Sequence, residues 1–557
     1  MRIRSLNMIS LVVVMVSCGL VRAVPSVHEA VRASLRRDAT ERGFLALTER
    51  GFLPLAERRP NDEAAWLTAC RAIPGTGKAR TASLDRAYAR AIVLAPTSAA
   101  PHWFYAIQLM HDIPFERDEQ DVVYPRYPRG SHRSTQLNIE QKAAAGKADL
   151  ALRRAGQLDP QNAAVDYFGA YLALADRKDA AAMALLRSGL GKQRWNEYGR
   201  AAAVATLETL RPVLPVAAAS TYAANSASNG WASTMEWDLA RVLAGMSILA
   251  ARQHDDDRAI FLRESADHLG RLMIRNAYQV LDAETGVIVW AFGGAWDPRQ
   301  PVPSVARDPT DATSQLYPGA AVAVYLRQHG RAALAREYES FGKQLRPIGI
   351  KLDRVKDLRR KQGARERDLA TILGHLSLAE IPTLGLLLLS GMTALLLRVF
   401  RRPVRPIEWS LWGWLFVVSA CLALVFVVGL IWPGESAFLK SSREMAAQMG
   451  LNTRDVRPSL GDRPWGYYFA VVGLPAILVS TWIAVLVHRR RHRDVKVRPV
   501  GHYLGTLLCL LLLLAAVLSL AVFAVGVPAA QETRRHARTE QAVIYRGEIA
   551  YYGLRLP

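Results

Sequence analysis

The sequence predicts an all-α protein in two parts, an array of helical hairpins followed by four transmembrane helices. Three observations carry this. Between residues 24 and 377 apolar residues recur at helical spacing, and strand signals are few. Beyond about residue 380 the chain turns into long apolar runs without charge. Mean hydropathy is +0.06 although 22% of residues are charged, so the apolar residues are concentrated in segments.

Met1-Arg2-Ile3-Arg4, an apolar run over Leu6–Leu20, and Val21 and Ala23 form a secretory signal, with cleavage expected after Ala23. An uncleaved anchor is the alternative; either exports the region beginning at residue 24. A lipoprotein signal at Cys18 is disfavoured, because Met15-Val16-Ser17-Cys18 lacks the usual Leu. The chain has four cysteines. Cys18 lies in the signal, Cys421 and Cys509 lie in apolar runs, and Cys70 stands alone, so neither a disulfide framework nor a zinc spacing exists.

Residues 24–377 read as an extracytoplasmic helical domain. Leu239, Val242, Leu243, Met246 and Leu249 share a helix face, which Ser233-x-x-Glu236 is expected to open as a capping box. Leu262, Ala266, Leu269 and Met273 make the next helix. Gly330 divides Val322–Gln328 from a helix over Arg331–Phe341. Leu84-x3-Tyr88-x2-Ala91-x4-Pro96 and Ala148-x3-Leu152-x2-Ala155-x4-Pro160 repeat one pattern, and Leu334-x3-Tyr338-x2-Phe341 with Pro347 is a looser copy. Small Ala lets paired helices approach, an aromatic fills the gap to the neighbouring hairpin, and Pro ends the second helix.

These spacings resemble the second helix of the tetratricopeptide repeat. The resemblance is good over 62–190 and weak over 234–345. It departs from the family in an insert over 112–135 and in the missing first-helix Gly. It implies protein–protein interaction through a concave face. Trp103, Tyr105, Tyr167 and Tyr171, near the aromatic position that opens a repeat, are the candidate partner-binding residues there.

Four apolar runs come next: Ile381–Leu397, Leu411–Trp432, Gly466–Val487 and Tyr503–Val527, of 17, 22, 22 and 25 residues without Asp, Glu, Lys, Arg or His. Each reaches the length needed for a ~30 Å hydrocarbon core. They place a membrane domain over 378–530 and an extracytoplasmic C-terminal tail over 531–557. Two loops are expected inside. Arg401, Arg402 and Arg405 lie in one, and Arg489, Arg490, Arg491 and Arg493 in the other, as the positive-inside rule requires. The net charge of +22 is therefore partly a topology signal. The basic segment Lys351–Arg367 is expected to lead into the membrane and meet anionic headgroups.

Chemistry is sparse. Pro74-Gly75-Thr76-Gly77-Lys78-Ala79 lacks the first Gly of a phosphate-binding loop, where Ala72 stands, and the Ser or Thr after the Lys, where Ala79 stands. His254-Asp255-Asp256-Asp257-Arg258 reads as a turn with acids at a helix start. The familiar hydrolase and metalloprotease spacings do not occur. No ionisable residue interrupts the four runs, which fits an anchor and not a conduit. The Pro-, Gly- and Trp-rich segment 286–318 reads as a long loop, with Trp290, Trp296, Asp297 and Arg299 as a second candidate recognition surface.

The expectation is a non-enzymatic, multi-pass protein of the bacterial cytoplasmic membrane that mediates protein–protein interaction or complex assembly. It takes no cofactor, metal or nucleic acid; its partners are a protein or peptide and the lipid bilayer. Two alternatives are an enzyme or enzyme subunit acting on envelope material near 286–318, and an anchoring subunit of a transport complex.

Overall fold

The computed structural model describes residues 52–71, 77–123, 137–212, 230–295, 320–345, 347–362 and 534–556, with short stretches at 73, 219–220, 222–224, 490 and 531–532. The described residues are overwhelmingly helical. Their one β feature is an isolated parallel bridge between Asn162 and Arg194. The signal segment, the four apolar runs and residues 124–136 and 296–319 lie outside the described residues. Among the described residues, no helix is long and apolar enough to cross a membrane.

Gly43–Arg360 and Ala537–Pro557 together form one compact unit. Its helices are α1 (Leu53–Glu57), α2 (Glu63–Arg71), α3 (Gly77–Leu94), α4 (Ala100–Met110), α5 (Glu119–Val123), α6 (Ile139–Leu158), α7 (Ala163–Ala175), α8 (Asp179–Leu190), α9 (Gly199–Leu210), α10 (Gly230–Arg252), α11 (Asp256–Arg275), α12 (Val280–Gly293) and α13 (Ala320–Gln328). Helical segments over 332–345, 347–362 and 534–546 come after these, then Glu548–Tyr551.

Three successive hairpins open the unit: α2 packs on α3, α4 on α6, and α7 on α8. The repeated spacing is their seam. On α3, Leu84, Ala87 and Ala91 are buried. On α6, Ala148, Ala151, Leu152 and Ala155 are buried while Leu150 is exposed, as one helical stripe requires. Burial of each Leu contributes about 2 kcal/mol. Asn138 opens α6 with a capping box, accepting from Gln141 N at 2.8 Å while its own N–H donates to Gln141 Oε1 at 2.9 Å. The seam residues Leu262, Ala266, Leu269 and Met273 are buried on α11, and Gly330 turns the chain at φ +75°.

Three local expectations need correction. Ser233 is not a helix cap, because α10 already runs from Gly230, and Glu236 is buried instead of closing a capping box. Residues 286–293 are helix, not loop. Their glycines serve approach: a Cβ on Gly286 would stand 2.9 Å from Ile274 N, and one on Gly270 of α11 would stand 2.8 Å from Trp290 Cα. The basic helix over 347–362 is partly consumed internally. Ile348, Leu352 and Val355 are buried, Lys356 pairs with Glu284, and Arg359 pairs with Glu540 and Glu548. The acid-rich turn reading holds: His254 adopts φ +60°, and Asp255 accepts from Arg258 N at 3.3 Å to start α11.

Candidate functional site

The predicted aromatics are core residues. Trp103 is fully buried, edge-on to Phe168 at 4.9 Å. Tyr105 stacks on Tyr88 at 4.0 Å and donates to Asp85 Oδ1 at 2.5 Å. Tyr167 is fully buried; its hydroxyl donates to Ser265 O at 3.1 Å and lies 2.9 Å from His268 Nδ1. Tyr171 stacks on Phe115 at 4.0 Å. Trp290 is fully buried and donates from Nε1 to Asp267 Oδ1 at 2.5 Å.

Later helices of the chain pack against the opening hairpins. Helix α9 packs on α2, where Thr68 and Thr209 hydroxyls meet at 3.2 Å, and α11 packs on α8. Helices α4 and α7 are consequently buried on nearly every side. Trp103, Tyr105, Tyr167 and Tyr171 are therefore not exposed to a partner. Trp296, Asp297, Arg299, Arg401, Arg402, Arg405, Arg489, Arg491 and Arg493 lie outside the described residues, and Arg490 is an isolated exposed position.

An open recess exists elsewhere, a cleft of about 370 Å³ built from three separate stretches of chain. The first wall is the strap Trp195–Arg200. Asn162 holds it: its side chain donates to Asn196 O at 2.8 Å, accepts from Asn196 N at 3.0 Å and also caps α7. Tyr198, at φ +59°, donates its hydroxyl to Asp159 at 2.8 Å. This turns Glu197 toward the cleft.

The second wall is the turn between α11 and α12. Asp282 is the third residue of α12 and accepts from Gln279 N at 2.8 Å and Tyr278 N at 3.2 Å. The third wall is the C-terminal segment from Arg546 to Leu554. Ile549 is buried there, as are Val543 and Ile544 just before it, and Glu548 accepts from Val280 N at 3.0 Å. A Cβ on Gly547, at φ +86°, would lie 2.9 Å from the Tyr278 ring.

Three carboxyl groups meet below this cleft. Glu197 and Asp282 are half-buried, and Glu236 from α10 is buried. Glu197 and Glu236 share a hydrogen bond, and Trp195 Nε1 donates to Glu197 Oε1 at 2.9 Å. Burial, then the neighbouring Glu197 charge, pushes the Asp282 carboxyl up to about 8. The same two causes hold Glu236 well above the usual carboxylate range, so the shared proton sits there. Burial raises Glu197 too, against its hydrogen bonds from Trp195 and Glu236. Asp282 and Glu236 thus hold their protons more tightly than ordinary carboxyls, and the Glu197 charge is one cause of it.

The rim is basic. Arg200, Arg275 and Arg546 line the cleft, are exposed, and make no ion pair with a described residue. Among the described residues, no three His, Cys, Asp or Glu side chains converge as metal ligands. Spacing along the chain offered no signal for this cleft, because its residues come from distant segments. No family model, no curated protein and no solved structure matches the chain.

Proposed function

We propose that this protein is a membrane-anchored helical-repeat protein of the bacterial envelope that mediates assembly with a protein partner. Tetratricopeptide-like character of the first three hairpins is part of this reading. The anchoring rests on the four apolar runs of the sequence, and the return of the chain is compatible with it. Residues 537–557 belong to the same compact unit as 43–360, so segment 361–536 leaves that unit and comes back to it. If that segment is embedded in a bilayer, it must cross an even number of times. Four apolar runs of 17 to 25 residues satisfy this parity.

Assembly is supported by the stacked hairpins, an architecture that presents extended surfaces. Because the candidate aromatics of α4 and α7 are buried, the partner is expected on the exposed surface of the hairpins or at the cleft. The enzyme alternative gains a different location. Its acid–base groups would be Glu197 and Asp282 at the cleft, and not the segment 286–318.

Crosslinking of the full chain in its native membrane, followed by identification of the captured protein, tests the reading. One reproducible partner is expected. Recovery of the chain alone, under conditions that capture a known complex in the same membranes, contradicts it.

A further inference from the structure

The buried arginines of this unit are committed to partners. Arg80 reaches Asp112 Oδ2 at 2.5 Å and Gln108 Oε1 at 2.7 Å. Arg117 holds Glu119 and Asp179, each at 2.7 Å. Arg263 caps the end of α12 through Gly293 O at 2.6 Å. A second recess of about 500 Å³ also has cations that are paired, Lys356 with Glu284 and Arg359 with Glu548.

The cleft over Glu197 and Asp282 differs. Three guanidinium groups from three elements line it without a carboxylate partner among the described residues. Helix α9 also begins there, and no side chain caps its N-terminus. Gly199, its first residue, lines the cleft. Uncapped N–H groups and a helix N-terminus favour an anion, and guanidinium forks match carboxylate and phosphate oxygens. Of the carboxyls there, Glu197 and Asp282 line the cleft, and Asp282 is held toward its neutral form by burial and by the Glu197 charge. The volume, about 370 Å³, falls in the range of small-molecule sites, about 300–1,000 Å³.

We propose that this cleft binds a small anionic ligand bearing a carboxylate or phosphate group, clamped by Arg200, Arg275 and Arg546 against the N-terminus of α9. The inference goes beyond the assembly reading and does not depend on it. The ligand bridges the C-terminal segment to α9 and α11, so its binding also tightens the return of the chain onto the unit.

The purified full chain, titrated with inorganic phosphate and with citrate at constant ionic strength, tests this. The readouts are calorimetry and the thermal midpoint. Saturable binding of at least one probe is expected. The Arg200→Gln, Arg275→Gln, Arg546→Gln triple variant should lose at least 10-fold in affinity. All three side chains are exposed, so the variant's circular dichroism and ligand-free midpoint should match the wild type. Displacement of the probe by phosphatidylglycerol vesicles, but not by phosphatidylcholine vesicles, assigns the anion to a lipid headgroup; no displacement assigns it to a soluble ligand. Absence of saturable binding by both probes, or equal binding by the triple variant, overturns the proposal.

Discussion

The phenol of Tyr278 donates a hydrogen bond to the backbone carbonyl of Ile544, 266 residues further along the chain. Ile549 N donates back to Tyr278 O at 3.4 Å, and Arg359 Nε meets Glu548 at 3.0 Å. The end of the chain is therefore a structural wall of the helical unit and of the cleft, and not the free polar tail its composition suggests.

Gly547 is the tightest point of that wall. Its φ of +86° and its contact with Tyr278 leave no room for a side chain. Gly547→Ala is predicted to cost about 1–3 kcal/mol. Hydrogen exchange should accelerate over 537–556 before it does elsewhere in the unit. Unchanged protection of that segment would count against the packing described.

Two glycine substitutions should have opposite signs. Gly270→Ala drives a methyl into the Trp290 backbone at 2.8 Å and is predicted to destabilise by about 1–3 kcal/mol. Gly146 lies within α6, and a Cβ placed on it would meet nothing within 4 Å, so Gly146→Ala should stabilise by about 0.5–1 kcal/mol. Urea unfolding of both variants reads the difference directly.

Asp282 should impose a pH dependence on stability. Its folded-state value of about 8 stands above the ordinary 3.8. Between those values the folded chain holds a proton that the unfolded chain lacks. This contribution is full below about pH 4 and is lost as pH rises through about 8, at up to about 1.4 kcal/mol per pH unit. Asp282→Asn, whose amide oxygen can still accept from Gln279 N, should flatten that part of the profile and exceed the wild type in stability above pH 8. Parallel profiles would remove Asp282 as the cause.

Arg117 ties the insert to the third hairpin. Its side chain is 4% exposed and joins Glu119 to Asp179. Burial works to raise the Glu119 carboxyl, yet the hydrogen bond and charge of Arg117 hold it below its usual range. The hydrogen bond from Arg117 lowers Asp179 as well. Arg117→Met leaves two carboxylates without their cation and should cost about 3 kcal/mol in chemical denaturation. A cost under about 1 kcal/mol would mean that solvent replaces the arginine freely.

What the sequence made legible was local. The Leu84–Ala91 and Ala148–Ala155 spacings lie on single helices, so period alone exposes the seam. The signals that misled were also local. Ser233 and Glu236 have the spacing of a capping box, yet Glu236 turns to Glu197, a contact made only by folding. Gly286, Trp290 and Gly293 look like loop composition, but the glycines thin α12 where it crosses α11, and the indole fills the core. Trp103 and Tyr167 have the bulk of recognition residues, and that bulk is spent filling space between helices. Nothing local announces the cleft, because Glu197, Asp282 and Arg546 lie on distant segments that only folding brings together.

That return makes the central claim testable in one topology measurement. Reporters fused at residues 300 and 495 and after residue 557 compare the two sides of the membrane in living cells. Residue 300 and the C-terminus are expected to report from the extracytoplasmic side and 495 from the cytoplasm. Reporters at 300 and at the C-terminus on opposite sides would contradict it, because one folded unit cannot be assembled from both sides of a bilayer.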